Sequence, residues 1–493
     1  MSAYVIWAAI FLAGYLIWLL VLALRSARTR STDLDTFFLA DKSVGFLASV
    51  FTFWATYFSA VALIGAAGYY YMHGVGNFYF AALGYIMLAL ITGTVGRRLW
   101  RLSRRYPEIR SPIQLYLRHF RSPGLELLFV LVTLFCMVPY MAAQITGFAR
   151  LMEGAMDLPY VWTAAAALAV IYFYSESGGL KNIVSTDIVQ SLMTIVGCIG
   201  VVITFLWAYW AWDLGSFVRE VDAVSDPSLW SLSGPNGFYN PVLIVSLALL
   251  ISLGAVPMAH NAQRYMIVKD EVYLRRLMWL FPVLGVFVTM VACVLGLGGA
   301  VHFPGLASGD QVIGAITATV PPVIGAMATV GILAATMSTA DSILLSVGFI
   351  VSEQWYRGKK GSGASVLRLN RWCTLAIAIF AFIASIRPEL VSDLAFNAFG
   401  GMLQLAPVML AGLYEWKVGR NWAFASVLSG LTVLFIGNTN LYGHLAPEYL
   451  PHYLAAFLSG LAVLGVGRLL VAYRALPVYE RAPVGLRAAQ TVK

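Results

Sequence analysis

GILAATMSTADSILLS, residues 331–346, lies inside a long apolar segment, yet Ser338, Thr339, Asp341, Ser342 and Ser346 fall within nine of its residues. On a helix, Ala335, Ser338, Thr339, Ser342 and Ser346 are spaced by three or four and share one face, with Asp341 at its border. A row of hydroxyl oxygens beside small alanines suits a hard cation such as Na⁺. The same hydroxyls could equally bond the preceding turn or glue two membrane helices together. Asp341 tips the balance toward function, because an ionisable group at that depth is costly.

The chain has 493 residues, 60% of them hydrophobic and 11% charged, with a mean hydropathy of +0.79. That composition excludes a soluble domain and predicts an all-α polytopic membrane protein. The net charge of +9 does not imply nucleic acid, because the basic residues have a topological explanation. Cys136, Cys198, Cys293 and Cys373 are widely spaced in or beside apolar segments, which predicts small buried hydrophobes and no metal or disulfide framework. The first apolar run lacks a basic leader and a cleavage site, so a retained helix is expected.

A span needs about 20 mostly apolar residues. Thirteen candidates follow: 4–24, 45–72, 78–96, 125–149, 159–177, 183–212, 238–258, 277–302, 321–353, 372–387, 394–415, 420–437 and 453–473. With the N-terminus outside and the C-terminus cytoplasmic, 29 of the 32 basic residues fall on the inner side, Arg264 among them. Only Arg150, Arg219 and Arg387 remain outside, the asymmetry expected of a plasma-membrane protein in that orientation. Loop 213–237 is then external, and the basic linker 356–371 internal.

Two spans carry breaks. The second contains Ser59, Gly65 and Gly68, and the seventh Gly254 and Pro257. Interrupted helices at matching places in two halves point to an inverted-repeat transporter with a midplane site, or else to a pair of packing kinks.

Six segments now resemble the sodium:solute symporter family, in that family's order. They are ATYFSAVALIGAAGYYY (55–71), AAQITGFARLME (142–153), YSESGGLKNIVSTDIVQ (174–190), QRYMIVKDEVYLRR (263–276), AATMSTADS (334–342) and AFGGMLQLAPVMLAGLYEWKVGRNWAFAS (398–426). The resemblance runs from about Phe37 to about Ala425 and is similar to the pantothenate and proline branches. It implies Na⁺-driven import of a small organic solute by alternating access, on a LeuT-type 5+5 inverted-repeat core. The solute class implied is a carboxylate, a vitamin or an amino-acid-like compound. The implied divisions are an extra helix and inner loop (1–36), a first repeat with its outer loop (37–237), a second repeat (238–418), two further helices (419–475) and a tail (476–493).

Carried over by motif, the Na⁺ site would use the carbonyls of Ala55, Phe58 and Ala335 and the hydroxyls of Ser338 and Thr339. Asp187, Asp341 and Ser342 would hold a second cation, share a proton or form a structural network. Ser59, Gln144, Ser252 and Asn397 are the polar candidates for the solute site, with Tyr140 and Phe399 as walls. The expected partners are a small solute and the bilayer, with no nucleic acid; oligomeric state is left open. Two rival classes are weaker. A sensor would need a separate signalling partner, since about twenty residues follow Arg474. An enzyme would need a motif such as HExxH, GxSxG or a P-loop, and none occurs.

Overall fold

The computed structural model describes residues 2–28, 33–175, 179–225, 228–356, 363–386, 389–445 and 450–474. Residues 357–362, Arg387 and the tail from residue 475, all used in reading the topology, lie outside the described residues. So do residues 176–178 of the third resembling segment.

The described regular elements are helices. Helix α1 (Ala3–Arg28) buries Tyr4, Ala8, Tyr15 and Leu19 along one stripe and exposes Ile6, Ile10, Ile17, Leu20 and Leu24. That is the division expected of a helix between protein and lipid. The second span breaks: α2 (Phe46–Tyr57) ends in an unwound segment, a π-helical turn follows (Val61–Gly65), and α3 (Ala66–His73) leaves at 59°. Helix α4 (Gly76–Ile91) runs on through another π turn as far as Arg105. Then come α5 (Pro123–Met156), α6 (Tyr160–Ser175) and α7 (Gly179–Trp210). The next span is again divided, into α8 (Pro241–Leu253) and α9 (Ala259–Ile267). Helix α10 (Glu271–His302) leads through a short α11 (Val312–Thr319) to α12 (Pro322–Tyr356) and α13 (Gly363–Ser385). Helices α14 (Val391–Leu403) and α15 (Ala406–Leu413) meet at 45°, and α16 (Arg420–Gly437) and α17 (His452–Arg474) close the described chain.

Among the described residues, eight helices are long and apolar enough to cross a membrane, or up to ten if each of two bent pairs is one span. The chain is therefore a multi-pass membrane protein. Three details differ from expectation. The second span breaks at residues 58–60, before Gly65 and Gly68, whose missing side chains serve close packing instead. A Cβ on Gly68 would meet Asp310 Oδ1 at 2.6 Å, and one on Gly65 would meet Ser392 Oγ at 2.6 Å. The bend between α14 and α15 was not anticipated; Pro407 lacks the N–H that would bond the Leu403 carbonyl, which frees the turn. Arg264, counted above with the inner loop, is fully buried on α9.

The core is α12, in which every residue from Ala328 to Ile350 is buried. It lies along α7, and glycine permits the approach. A Cβ on Gly331 would stand 2.4 Å from the Met193 carbonyl oxygen, and Thr194 Oγ1 donates to the Gly331 carbonyl at 2.7 Å. Val44 before α2 pairs with the strand-like end of α9: its N–H donates to Ile267 and its carbonyl accepts from Lys269. Helices α2 and α9, one from each broken span, are thus tied together. Gly331→Leu should lower the melting temperature of detergent-purified protein, with a cost of about 1–3 kcal/mol for overpacking. Gly14→Leu, on α1 with nothing within 4 Å, should leave it unchanged.

Candidate cation and solute site

Breaking a helix inside a membrane frees carbonyls that must find partners within the protein. At the second break they are permanently capped. The Leu253 carbonyl, deprived of a partner by Pro257, accepts from Val256 N, and the Ala255 carbonyl accepts from Met258 N and from Asn261 Nδ2 at 2.8 Å. The Val256 carbonyl accepts from the Tyr116 hydroxyl at 3.3 Å.

The first break is capped differently. The Ala55 carbonyl accepts from Thr339 Oγ1 at 2.8 Å and from Ser338 Oγ at 3.2 Å, across from α12. Both hydroxyls also reach the Ala335 carbonyl, at 3.0 Å from Ser338 and 3.5 Å from Thr339. Phe58, the remaining expected ligand, sits at the unwound end of α2 with φ −106° and ψ 75°. Four of the five expected oxygens are therefore gathered in one cluster, all in buried residues. A hydroxyl hydrogen rotates freely, so Ser338 and Thr339 can turn their lone pairs inward and exchange the carbonyl contacts for a shared small cation. Neutral oxygens of this kind suit Na⁺ as cargo. Ser342 and Ser346 instead bond the carbonyls one turn before them on α12.

Beside this cluster is a cavity of about 70 Å³. Tyr57, Ser59, Tyr140 and Phe399 line it, together with Asn77, Tyr85, Asn261, Thr289 and Ser392. No ionisable acid or base of the Asp, Glu, His, Lys or Arg type is among its walls. Among the wall residues, Asn261 keeps its Oδ1 buried without a hydrogen-bond partner among the described residues. Buried polar groups in folded proteins are nearly always bonded, so this oxygen is available to a polar ligand.

Of the solute residues expected from sequence, Ser59, Tyr140 and Phe399 line this cavity and three do not. Gln144 Nε2 reaches back to the Tyr140 carbonyl at 3.4 Å, behind the wall. Ser252 bonds its own helix at Ala248, 2.6 Å. Asn397 faces a second cavity of about 1250 Å³ between α5, α14, α16 and α17. Arg150 pairs with Glu153 at 2.6 Å and lies over the Tyr160 ring. Asn77 and Asn261 join the wall as well; each is an amide just beyond the end of an expected span, at 72–78 and after 258, where the sequence alone carries no signal for a site.

Residues 37–430 match the model of the sodium:solute symporter family. The chain belongs to that family. It is a Na⁺-coupled symporter working by alternating access. The chain is 28% identical to the sodium/pantothenate symporter of Escherichia coli, over 88% of this chain and 89% of that one. The sodium/pantothenate symporter of Haemophilus influenzae is 27% identical over 82% and 84%, and the sodium/proline symporter of E. coli 25% identical over 82% and 83%. In three dimensions the chain resembles a substrate-bound, outward-open Na⁺-coupled sialic acid symporter, with a TM-score of 0.78 over 95% of this chain and 98% of that one, at 15% identity. MhsT in complex with L-phenylalanine superposes with a TM-score of 0.52, covering 86% of this chain and 98% of that one, at 10% identity. These likenesses establish a LeuT-like transporter fold.

Thr339→Ala and Ser338→Ala each delete one oxygen from the cluster. Each should raise the Na⁺ concentration for half-maximal stabilisation of the purified protein by about three- to tenfold, the equivalent of one neutral hydrogen-bonding group worth about 0.5–1.5 kcal/mol. A Na⁺ titration read by thermal unfolding, with K⁺ keeping the ionic strength constant, measures the shift.

Proposed function

We propose that this symporter imports a small carboxylate-bearing or amino-acid-like solute, a vitamin included. Na⁺ would bind between Ala55, Phe58, Ala335, Ser338 and Thr339, and the solute in the adjoining cavity. The observation that carries this reading is the shared stretch of chain: Tyr57 and Ser59 line the cavity, while Ala55, two residues before Tyr57, gives its carbonyl to the cation cluster. An ion drawn to the cluster fixes the very stretch that the solute touches.

Several features support a carboxylate. Helix α9 begins at Ala259, and its first turn offers backbone N–H groups beside Ala255 and Asn261 in the cavity wall. The N-terminus of a half-helix is the usual counterpart of an anionic group in transporters of this architecture. With no lysine or arginine in the wall, that partial positive charge and the neighbouring Na⁺ are the available counter-charges. The pantothenate and proline symporters among the relatives carry solutes that fit the same description. The reading includes thirteen spans with helices 2–6 and 7–11 as inverted repeats, the N-terminus outside and the C-terminus cytoplasmic.

A thermal-shift screen of purified protein against pantothenate, proline and other small carboxylates, in Na⁺ and in K⁺, tests the solute. Stabilisation that requires both solute and Na⁺ identifies it; stabilisation by solute equally in K⁺ argues against coupling. Asn261→Ala should weaken the binding of the solute so identified by about 1–3 kcal/mol, the cost of stranding one polar partner. Gln144→Ala, behind the wall, should change it less. Orientation is tested by cysteine labelling after replacement of the four native cysteines. An impermeant reagent should reach Leu232→Cys in intact cells and Glu108→Cys only after permeabilisation.

A further inference from the structure

One turn below the cation cluster stands a buried ionic group. Asp187 on α7, Asp341 on α12 and Arg264 on α9 are all fully buried. Arg264 Nη2 donates to Ser342 Oγ at 2.5 Å and lies 3.5 Å from Asp187 Oδ2; its Nε donates to Thr56 Oγ1 at 3.0 Å. Thr52 Oγ1 donates to the same Asp187 oxygen at 2.5 Å. Asp341 lies within electrostatic reach of the same guanidinium. Two of the three side chains expected to hold a second cation, Asp187 and Ser342, are thus engaged by a cation that the chain itself supplies.

We propose that Arg264 is a tethered substitute for a second transported ion, so that this protein binds one Na⁺. The inference rests on the sodium-symport reading above. With both carboxylates ionised, as the adjoining guanidinium and a nearby Na⁺ favour, the two acids and the one guanidinium leave a single negative charge. The cation cluster contains only neutral oxygens, so that remaining charge supplies the field that draws Na⁺ to it. The link is short on both walls. Ser342, which accepts from Arg264, donates to the Ser338 carbonyl at 2.9 Å. Thr56, which accepts from its Nε, directly follows Ala55. Asp341 Oδ2, Asp187 Oδ1 and Arg264 Nη1 have no hydrogen-bond partner among the described residues. A guanidinium is suited to this post because it stays charged when buried and its fork serves several oxygens at once. Its position on one half of a broken span also makes the charge balance depend on where that half-helix stands.

Equilibrium binding of ²²Na⁺ to the purified full-length protein, with no solute present, tests the assignment. Wild type should bind one Na⁺ with a Hill coefficient of one. Arg264→Gln should bind two, with a Hill coefficient above one, and its melting temperature should depend on Na⁺ more steeply than that of wild type. Arg264→Lys should retain one. Asp341→Asn should also bind one, with affinity lowered by about tenfold or more for the loss of a nearby opposite charge. Adding Asp187→Asn to Arg264→Gln should return the count to one. Two Na⁺ per wild-type molecule would overturn the proposal, as would Arg264→Gln binding a single Na⁺ with unaltered affinity. If Arg264→Gln does not fold even in high Na⁺, the wild-type count and the Asp341→Asn affinity still decide. Failure of the sodium-symport reading itself looks different: wild type would show no saturable Na⁺ binding, or K⁺ would compete equally.

Discussion

A carbonyl exposed by a broken helix cannot be left bare inside a membrane, and the way each break answers that demand organises this protein. At residues 254–258 the freed carbonyls are capped by backbone amides, an asparagine amide and a tyrosine hydroxyl. These caps are built into α9 and its neighbours. At residues 58–60 the Ala55 carbonyl is capped by two hydroxyls that belong to another helix and can rotate. The first arrangement gives a permanent joint. The second gives a joint whose partner is exchangeable, and exchange of a hydroxyl hydrogen for an ion is what a co-transported cation requires. The hydroxyls of Ser338 and Thr339 therefore have a structural role when they bond carbonyls and a functional one when they turn away. The two readings of the hydroxyl row describe the same atoms in different rotamers.

Ion pairs gather at the end of the bundle where α2 and α9 meet. Arg97 and Arg101 converge on Glu271, and Arg118 reaches Glu415. Arg104 donates to the carbonyls of Lys42 and Val268, beside the pairing of Val44 with α9. Partly exposed ion pairs of this kind are worth little each, roughly 0–1 kcal/mol. Contacts that individually cost so little to break suit a surface that must open and close. Arg264 differs in kind: breaking its contacts would leave buried charges unpaired, which is far more costly than any of the surface pairs. The deep ionic group is thus held to its partners far more firmly than the surface pairs are to theirs.

Much of this was legible in the sequence. Length, hydropathy and the repeated interruption of spans gave the class and the two broken helices. Ser338, Thr339, Ala335 and Ala55 do lie together, because helical spacing and the family motif act on single helices, where periodicity is reliable. What crosses between helices was harder. Arg264 reads as one more inner-loop arginine, since basic residues are sorted by side of the membrane and nothing in QRY says that its partners lie on α7 and α12. Ser252 and Gln144 are polar residues in apolar helices, like Asn77, yet two of them face their own helix or a neighbour and one lines the cavity. The angular difference arises from how helices pack, and no local pattern encodes it. The bend at residues 404–405 was missed for a similar reason: Pro407 stood in plain sight but was read as part of a single uninterrupted helix.

The sharing of one stretch of chain between ion and solute has an energetic consequence. Linkage is reciprocal, so if Na⁺ fixes residues 57–59 and thereby favours the solute, the solute must favour Na⁺ by the same factor. The useful work then depends on net charge. A zwitterion moving with one Na⁺ carries one charge, which at about 100 mV supplies roughly 2.3 kcal/mol, enough for about a fifty-fold gradient before any Na⁺ concentration difference is counted. A monoanion moving with one Na⁺ carries none and depends on the concentration difference alone. On the proposed reading an uncharged cavity wall accepts either, because a solute carboxylate would be met by the ion and the end of α9 and not by a fixed cation. A guanidinium in the wall would bind an anion more tightly, but it would bind it with or without Na⁺, and the coupling would be lost. Placing the fixed cation below the ion site, away from the solute, leaves the transported Na⁺ as the charge that the solute needs.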